Sequence, residues 1–395
     1  MKIYADNAAT TKISEKALEA YVETSRNVYG NPSSLYEIGQ DAKTLLEKSR
    51  ESIAQLIGAN SSEIYFSSGG SESDNWAIVS IAELGKKQDK KHIISSAFEH
   101  HAVLHTLDKL KAEGFEITLL DVHENGIVDL NELEDAIRPD TALVTIMYAN
   151  NEIGTIQNIK AIGEICKKKD VLFHTDAVQA VGHIDIDVAR DNIDLLSASG
   201  HKFHGPKGVG FLYVRKGINL FNLINGGAQE RGKRAGTENL PAIVAMAEAL
   251  KESLENLDER MWKVAKLRDD LIAKLRTIPH SALNGDEVCR LPNNVNFCFE
   301  GIEGESLLLL LDQKGISASS GSACTSGSLD PSHVLLAIGR VHDVAHGSLR
   351  LTIGEETTSE MIDYIAQSVA EVVEYLRGFS PVWDDLISGK AEFIL

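Results

Sequence analysis

The chain has 395 residues, of which 43% are hydrophobic and 25% are charged, a composition typical of a water-soluble protein large enough for two domains. Its 39 basic and 58 acidic residues give a formal charge of −19, which argues against nucleic acid or an anionic membrane as the main partner. No apolar run approaches the ~18 residues of a membrane span, and the opening MKIYADNAATTK lacks the apolar stretch of a signal peptide. We therefore expect a cytoplasmic protein.

Seven short apolar runs between about residues 60 and 215 predict β-strands. In chain order they are EIYFSS, KHIISS, FEITLL, ALVTIMYA, DVLFHTDA, DLLSAS and GVGFLYV. Apolar residues recur at helical spacing between most of these runs, over 71–84, 100–112, 130–137 and 159–169. This alternation predicts a mainly parallel α/β sheet, which binds ligands in the loops at the carboxyl ends of its strands.

The second half of the chain predicts a smaller unit. A helical region over about residues 239–276 is long enough to leave the first domain. The strands NNVNFCFE and SLRLTIG follow, with helices over 305–313 and 361–376. We predict a large domain over residues 15–260 and a small α/β domain made of residues 1–14 and 261–395. The tail after Ser380 carries an amphipathic patch that either docks on another protein or covers the body of this one.

The four cysteines differ in their sequence surroundings. Cys324 lies in SASSGSACTSGS (317–328), and such a serine- and glycine-rich stretch builds no core, so it predicts a presented, reactive thiol. Cys166 falls on the apolar face of a predicted helix, and Cys298 falls opposite the apolar face of a predicted strand, which indicates structural roles for both. Cys289 lies near a probable turn and receives no assignment. Without a CxxC pair or zinc-ligand spacing, the sequence favours neither a structural metal nor disulfides.

An aspartate and a lysine follow two of the predicted strands. Asp176 ends the strand VLFHTD, and Lys202 stands in the glycine-flanked segment SGHKFHGPKG. This pair suits pyridoxal phosphate (PLP), because a lysine amine holds that cofactor as a Schiff base and a carboxylate keeps its pyridine nitrogen protonated. Taken singly, Lys202 is equally compatible with a surface lysine and Asp176 with a helix cap.

The segment SSGGSES (67–73) joins a predicted strand to a predicted helix. Backbone N–H groups and hydroxyls at the start of a helix suit a phosphate dianion. The alternative is that Ser71 merely caps the helix, although Asp74 stands where a full capping box has glutamate or glutamine.

Two groups of histidines each allow more than one interpretation of their role. His100, at the start of a predicted helix, suits either stacking on a planar cofactor or capping of that helix. His201 and His204 have a spacing found in some metal sites, but the sequence offers them no evident third ligand, so we expect no metal.

Ten short motifs occur in order along nearly the whole chain. They are DNAATT (6–11), GNPSS (30–34), SSGGSESDN (67–75), EHHAV (99–103), NNEIG (150–154), HTDAVQ (174–179), SGHKFHGPKG (199–208), RAGTEN (234–239), SSGSACTS (319–326) and AHGSLRLTIG (345–354). Together they resemble the cysteine desulfurases of the NifS/IscS type, in the class V aminotransferase group of PLP enzymes. The resemblance implies PLP fold type I, with a mainly parallel seven-stranded sheet in the large domain. SSGSACTS is similar to the longer cysteine loops of that group.

The resemblance also implies a role for each matching residue around the cofactor. Lys202 would hold PLP covalently, Asp176 would pair with the ring nitrogen, and Gln179 would bind the ring hydroxyl. His100 would stack on the ring and help to move protons. The residues implied for the phosphate are Gly70, Ser71, Ser199 and His201, with Thr237 reaching the site of a neighbouring subunit. Gly70 departs from a pattern that often has alanine there, and we expect it to make the loop more flexible.

For the substrate, the resemblance implies that Asn151 and Arg350 bind the carboxylate of L-cysteine, a task suited to the planar fork of arginine. The enzyme would convert L-cysteine to L-alanine and carry the sulfur on Cys324 as a persulfide. A homodimer is implied, with a NifU- or IscU-like iron–sulfur scaffold protein as the sulfur acceptor. Three alternatives stay open: another class V enzyme such as a transaminase, a non-catalytic sulfur carrier with the same fold, and selenocysteine lyase activity.

Overall fold

A large central sheet organises the first two thirds of the chain. The computed structural model describes residues 1–320 and 331–395. The strands of this sheet are β2 (Ile64–Ser67), β3 (His92–Ser96), β4 (Glu116–Leu120), β5 (Thr141–Thr145), β6 (Leu172–Asp176), β7 (Leu195–Ser199) and β8 (Gly210–Val214). They lie in the spatial order β2-β8-β7-β6-β5-β3-β4. The five strands from β7 to β4 are mutually parallel, whereas β8 runs antiparallel to both β7 and β2. The predicted mainly parallel seven-stranded sheet is confirmed.

Helices cover both faces of this sheet, which explains why its strands place adjacent apolar residues on opposite faces rather than alternating apolar with polar ones. Leu195 packs into an apolar cluster formed with helices α3 and α4, whereas the next residue, Leu196, packs into a cluster formed with α2 and α8. The helices are α1 (Glu15–Asn27), α2 (Glu37–Leu56), α3 (Gly70–Lys86), α4 (His101–Ala112), α5 (Leu130–Ala136), α6 (Ile159–Lys168), α7 (Gln229–Gly232), α8 (Leu240–Leu254), α9 (Leu257–Leu275), α10 (Gly304–Gln313), α11 (His333–Ala337), α12 (His342–His346), α13 (Ser359–Arg377) and α14 (Pro381–Ile387). The predicted helices that correspond to α3–α6, α10 and α13 are confirmed to within two residues at each end.

The long helical region predicted over 239–276 is two helices, so the prediction of one continuous helix is wrong. Helix α8 ends at Leu254 and α9 begins at Leu257, with Asn256 between them in the left-handed region at φ 50°. Asparagine tolerates that conformation better than most residues. The guanidinium of Arg260 donates from Nη1 to the carbonyl oxygens of Glu252 (2.7 Å) and Ser253 (2.9 Å), so it supports the end of the first helix at the break.

A second, smaller sheet lies in the C-terminal third. Its central strand β10 (Asn294–Phe299) pairs antiparallel with β12 (Ser348–Thr352) and with β9 (Ser281–Leu283). Apolar residues of β10, β12, α9, α10 and α13 form a separate cluster. The N-terminal β1 (Ile3–Tyr4) pairs in parallel with β11 (Ile316–Ser317). The domain boundary proposed at residue 260 stays a prediction.

Two of the three cysteines within the described residues have a placement that the sequence predicts. Cys166 and Cys298 are buried, which confirms their structural placement, and Cys289 is exposed. Cys298 belongs to the apolar cluster of the large sheet, while Phe297 and Phe299 on either side of it belong to the smaller cluster. The predicted opposition of faces along this strand is therefore confirmed.

The tail after Ser380 packs on the body of the protein. Trp383 stacks over the guanidinium of Arg377 at 4.0 Å, and the ring of Phe393 stacks on His280 with centroids 3.7 Å apart. Val382 and Ile387 in the same tail stay exposed. Among the described residues, no helix has both the length and the apolar content needed to cross a membrane.

Candidate active site

Three strand ends meet at one edge of the large sheet. Asp176 is the last residue of β6, Ser199 is the last residue of β7, and a 3₁₀ turn (Gly200–Lys202) follows directly. Ser67 at the end of β2 and Ser199 both pair with Gly210, so the loop before α3 lies beside the end of β7. These elements surround a cavity of about 260 Å³. The predicted site residues that line it are Gly70, Ser71, His100, Asn151, Asp176, Gln179, Ser199, His201, Lys202 and Arg350.

The start of helix α3 forms one wall of the cavity. The helix begins at Gly70 with Gly69 as its N-cap, so the alternative in which Ser71 caps the helix is wrong. Gly69 has φ 151°, and a Cβ on Gly70 would lie 2.5 Å from Cγ2 of Val178. The backbone at Gly70 is thus closely packed against Val178, and the expected effect of this glycine on the flexibility of the loop stays a prediction. Free N–H groups in this first turn form a ready anion site.

Lys202 reaches back to the N-terminal segment. Its Nζ donates to the carbonyl oxygens of Ala8 (2.5 Å) and Ala9 (2.8 Å). Nε2 of Gln179 donates to the same carbonyl of Ala8 at 3.0 Å. The sequence patterns assign no role to residues 6–11, although DNAATT is among the recurring motifs. In the structure, two predicted site residues, Lys202 and Gln179, donate hydrogen bonds to backbone carbonyls of this segment.

The two histidines near Lys202 bind the same segment. Nδ1 of His201 lies 3.0 Å from Oγ1 of Thr10, and the backbone carbonyl of His201 accepts from Thr11. Nδ1 of His204 lies 3.0 Å from the carbonyl oxygen of Lys12. Burial, with the positive charge of Lys202 next, lowers the pKa of His201 to about 4, so its imidazole is neutral at pH 7. In the part of the chain that the structure describes, no group of three histidine, cysteine or acidic side chains is arranged to hold a metal ion.

Asp176 is a buried carboxyl group at the base of the cavity. Its Oδ1 accepts from the backbone N–H of Val178 at 2.9 Å, an intraloop bond of the kind that a capping aspartate makes. Burial raises its pKa, and the charges of His100 and Lys202 oppose that rise. Asp74 lies next to it, buried, and Oδ1 of Asp74 has no hydrogen-bond partner in the described structure. Burial and then the charge of Asp176 raise the pKa of Asp74 well above its usual range, so Asp74 is the member of the pair that favours the protonated form more strongly.

His100 makes the capping contact that the sequence leaves open, and its stacking on a cofactor stays a prediction. It is the N-cap of α4, where its Nδ1 accepts from the backbone N–H of Ala102 at 3.1 Å, and its side chain also lines the cavity. Burial lowers its pKa, which favours the neutral ring. With Nδ1 used as an acceptor, the proton of the neutral imidazole resides on Nε2.

Arg350 and Asn151 meet on the side of the cavity formed by β12. Nη1 of Arg350 donates to the carbonyl oxygen of Asn151 at 3.2 Å, and Nη2 donates to Oδ1 of Asp6 at 2.8 Å. The turn that holds Asn151 is fixed by Asn150, whose Oδ1 accepts from the backbone N–H groups of Glu152 (2.8 Å) and Ile153 (3.0 Å). A buried guanidinium thus lies beside the backbone of Asn151, and both residues line the cavity, where the arginine fork suits a carboxylate ligand.

Comparison with known proteins gives this arrangement a family. Residues 3–365 match the family model for aminotransferase class-V. The chain belongs to the aminotransferase class-V family. It is 54% identical to the cysteine desulfurase IscS of Methanosarcina thermophila, over 96% of this chain and 94% of that protein. It is 51% identical to the cysteine desulfurase IscS of Clostridium botulinum, over 99% of both chains. A solved NifS-like protein superposes with a TM-score of 0.89 at 39% identity, covering 95% of this chain and all of that one. The resemblance to the NifS/IscS type is confirmed.

The side chains of this class-V family member fit a pyridine ring that bears a phosphate. The anion site at the start of α3 lies on the same cavity as Ser199 and His201, which are polar and neutral donors. Asp176 is a buried carboxyl group that lines the cavity, and a protonated ring nitrogen there would be a suitable cationic partner for it. Family membership and donor chemistry therefore agree on the cofactor class.

Two further buried acids support the site, and sequence reasoning missed both. Oε1 of Glu99 accepts from Oγ of Ser96 (2.5 Å) and from the backbone N–H of Met147 (2.9 Å), and burial raises its pKa to about 8. Glu152 accepts a hydrogen bond from Ser332, and burial raises its pKa to about 7. Both acids lie inside two of the recurring motifs, EHHAV and NNEIG, and this position is the sequence signal that could have indicated their role. Each acid fixes a loop from which a neighbouring residue, His100 or Asn151, reaches the cavity.

Two predicted site residues do not join this group. Thr237 is exposed and is absent from the cavity lining. Cys324 lies outside the described residues. Among the described residues near that segment, Ser319 pairs through its backbone with Arg350, which lines the cavity, and Ser332 bonds to Glu152.

Proposed function

We propose that this protein is a PLP-dependent cysteine desulfurase that converts L-cysteine to L-alanine and passes the sulfur to Cys324 as a persulfide. The observation that carries the proposal is the convergence of Lys202, Asp176 and Arg350 on one cavity in a chain whose close relatives are cysteine desulfurases. A lysine and a buried carboxylate meet the needs of the cofactor, and a buried arginine meets the need of an amino-acid substrate.

Each lining residue has a proposed task toward the cofactor. Asp176 would hold the ring nitrogen, Gln179 the ring hydroxyl and His100 the ring face, while Lys202 would hold the cofactor covalently. The phosphate would be bound by Gly70, Ser71, Ser199 and His201. When bound, PLP supplies an electron sink for the carbon that bears the amino group of the substrate.

The side chains of the protein do the remaining work. Arg350 and Asn151 would orient the substrate by its carboxylate, and the amine of Lys202 would move the α-proton. The thiolate of Cys324 attacks the sulfur of the substrate, so that a sulfur–sulfur bond forms and the carbon–sulfur bond breaks. The carbon fragment keeps the electron pair and takes up a proton to become alanine. One cysteine and one protein thiol thus give one alanine and one protein persulfide, with no other reactant.

The persulfide provides the direct test. After brief exposure of the holoenzyme to L-cysteine, intact mass and peptide mapping with trapping are expected to show an added mass of about 32 units, one sulfur atom, at Cys324. Cys289 is the matched control, because it is the exposed cysteine among the described residues. Sulfur on Cys289 rather than Cys324, or alanine formation with an unmodified protein, would contradict the proposal.

We further propose a cytoplasmic homodimer that delivers its sulfur to an iron–sulfur scaffold protein of the NifU or IscU kind. The exposed position of Thr237, outside the cavity of its own chain, supports a role in the phosphate site of the neighbouring subunit. The exposed residues of the tail support docking of the scaffold there, while Trp383 and Phe393 anchor that tail to the body.

Substitution of Val382 or Ile387 by aspartate is expected to lower sulfur transfer to the scaffold roughly tenfold, because a charge would enter an apolar contact. Both side chains are exposed, so alanine formation with dithiothreitol as the sulfur acceptor is expected to stay at the wild-type rate. Transfer is measured with radiolabelled sulfur on purified scaffold. Val288→Asp, which changes an exposed valine outside the tail, is the matched control. Normal transfer by both tail variants would exclude docking at this patch.

A further inference from the structure

The side chain of Asp6, in the DNAATT segment, has no role in the proposed function. Its Oδ1 accepts from Nη2 of Arg350 at 2.8 Å, in an ion pair whose arginine side chain is 3% exposed and whose aspartate side chain is 18% exposed. Asp6 is held there by its neighbours. The backbone N–H groups of Asn7 and Ala8 donate to the carbonyl and hydroxyl oxygens of Thr352, two residues beyond Arg350 in β12.

The other contacts of Arg350 leave donor capacity for a ligand. Nη1 bonds to the carbonyl oxygen of Asn151, and Nε has no hydrogen-bond partner in the described structure. Glu152 also faces this guanidinium, but its carboxyl group bonds to Ser332 and burial raises its pKa to about 7. Within residues 1–320 and 331–395, Asp6 is therefore the one carboxylate in ion-pair contact with Arg350.

We propose that Asp6 is a positioning residue that holds the fork of Arg350 at the cavity and, as a permanent counter-charge, limits how tightly Arg350 binds the carboxylate of substrate and product. This inference rests on the proposed function, in which Arg350 binds that carboxylate. A buried guanidinium without a partner is costly, so Asp6 stabilises it before the substrate arrives. Once the substrate binds, two carboxylates share one guanidinium and repel each other, which favours release of alanine.

The test compares two substitutions at Asp6. Asp6→Asn removes the charge but keeps an acceptor oxygen for Nη2, whereas Asp6→Ala removes both. The dissociation constant of L-alanine is measured on the holoenzyme through the absorbance of the cofactor, alongside that of ethylamine, an amine without a carboxylate. Asp6→Asn is expected to lower the dissociation constant of L-alanine about tenfold and to leave that of ethylamine unchanged. Asp6→Ala is expected to bind L-alanine more weakly than Asp6→Asn, because the guanidinium of Arg350 then has no acceptor at residue 6 to hold it in place.

Kinetics give a second readout that loss of fold would not reproduce. Asp6→Asn is expected to lower both the KM for L-cysteine and kcat, because alanine leaves more slowly. In an Arg350→Gln background the effect of Asp6→Asn on L-alanine is expected to vanish, since the shared cation is gone. Asp41→Asn, which changes an exposed acid on α2, is the control and is expected to change neither constant.

Three results would overturn the inference: unchanged or weaker binding of L-alanine by Asp6→Asn, an equal change for ethylamine, or persistence of the effect without Arg350. Failure of the wild-type holoenzyme to bind L-alanine or to form it from cysteine would remove the proposed function and this inference together. A wild-type enzyme that does both, beside an Asp6→Asn variant that matches it, would remove only the role of Asp6.

Discussion

Replacement of Cys324 by serine is expected to lower alanine formation from L-cysteine by roughly a thousandfold or more. Serine has nearly the same size as cysteine, but its hydroxyl group is not ionised at neutral pH and forms no persulfide. The substrate would still reach the cofactor, because the residues that bind its amine and carboxylate are unchanged. The measurement is alanine release by amino-acid analysis, together with sulfide release in the presence of a thiol.

The control for this substitution is Cys289→Ser, which removes the exposed thiol among the described residues and is expected to retain full activity. A transaminase of the same family would be indifferent to the loss of Cys324. If Cys324→Ser formed alanine at the wild-type rate, the thiol would be incidental and the transaminase alternative would gain support. A colourless protein after addition of PLP would instead support the non-catalytic carrier.

Replacement of Lys202 by alanine is expected to abolish the covalently held cofactor and to reduce desulfuration by about a thousandfold or more. The amine of Lys202 donates hydrogen bonds to the backbone carbonyls of Ala8 and Ala9. Lys202 is the one lysine among the described residues that line the cavity, so its replacement leaves no lysine there to hold the cofactor. The visible absorbance band of the holoenzyme is expected to disappear. Apparent affinity for PLP is expected to fall without loss of the phosphate site.

Lys207→Ala is a suitable control, because Lys207 is exposed five residues further along the same loop. It is expected to keep both the absorbance band and the activity. Added methylamine, a small amine able to enter the space left by the side chain, is expected to restore part of the activity of Lys202→Ala. A Lys202→Ala protein that retained the band after extensive dialysis would contradict the proposed role of this lysine.

The sequence predicted the seven central strands and the gathering of the site residues for a clear physical reason. Buried strands such as β5 and β7 need apolar residues on both faces, so each contains adjacent apolar residues that are easy to recognise. Asp176 and Ser199 then end adjacent parallel strands, so their proximity follows from topology alone. The family resemblance supplied residues from distant elements, Asn151 and Arg350 among them, which periodicity does not connect.

Main-chain contacts explain what the sequence did not predict. Lys202 and Gln179 bind the carbonyl oxygen of Ala8, and a carbonyl group has no signature in the side-chain pattern. The sequence also did not predict the helix break at Asn256, because apolar residues continue at helical spacing on both sides of it. The close approach of Val178 to Gly70 was also not predicted, because the two residues lie far apart along the chain.

Strand β10 contributes to two separate apolar clusters. Phe297 and Phe299 belong to the cluster of the smaller sheet, while Cys298 between them is buried in the cluster of the large one. Because one strand supplies both, unfolding of either cluster withdraws packed side chains from the other. A single cut in the chain would therefore not release either domain in its folded form. We expect the large and small domains predicted from the sequence to unfold in one thermal transition.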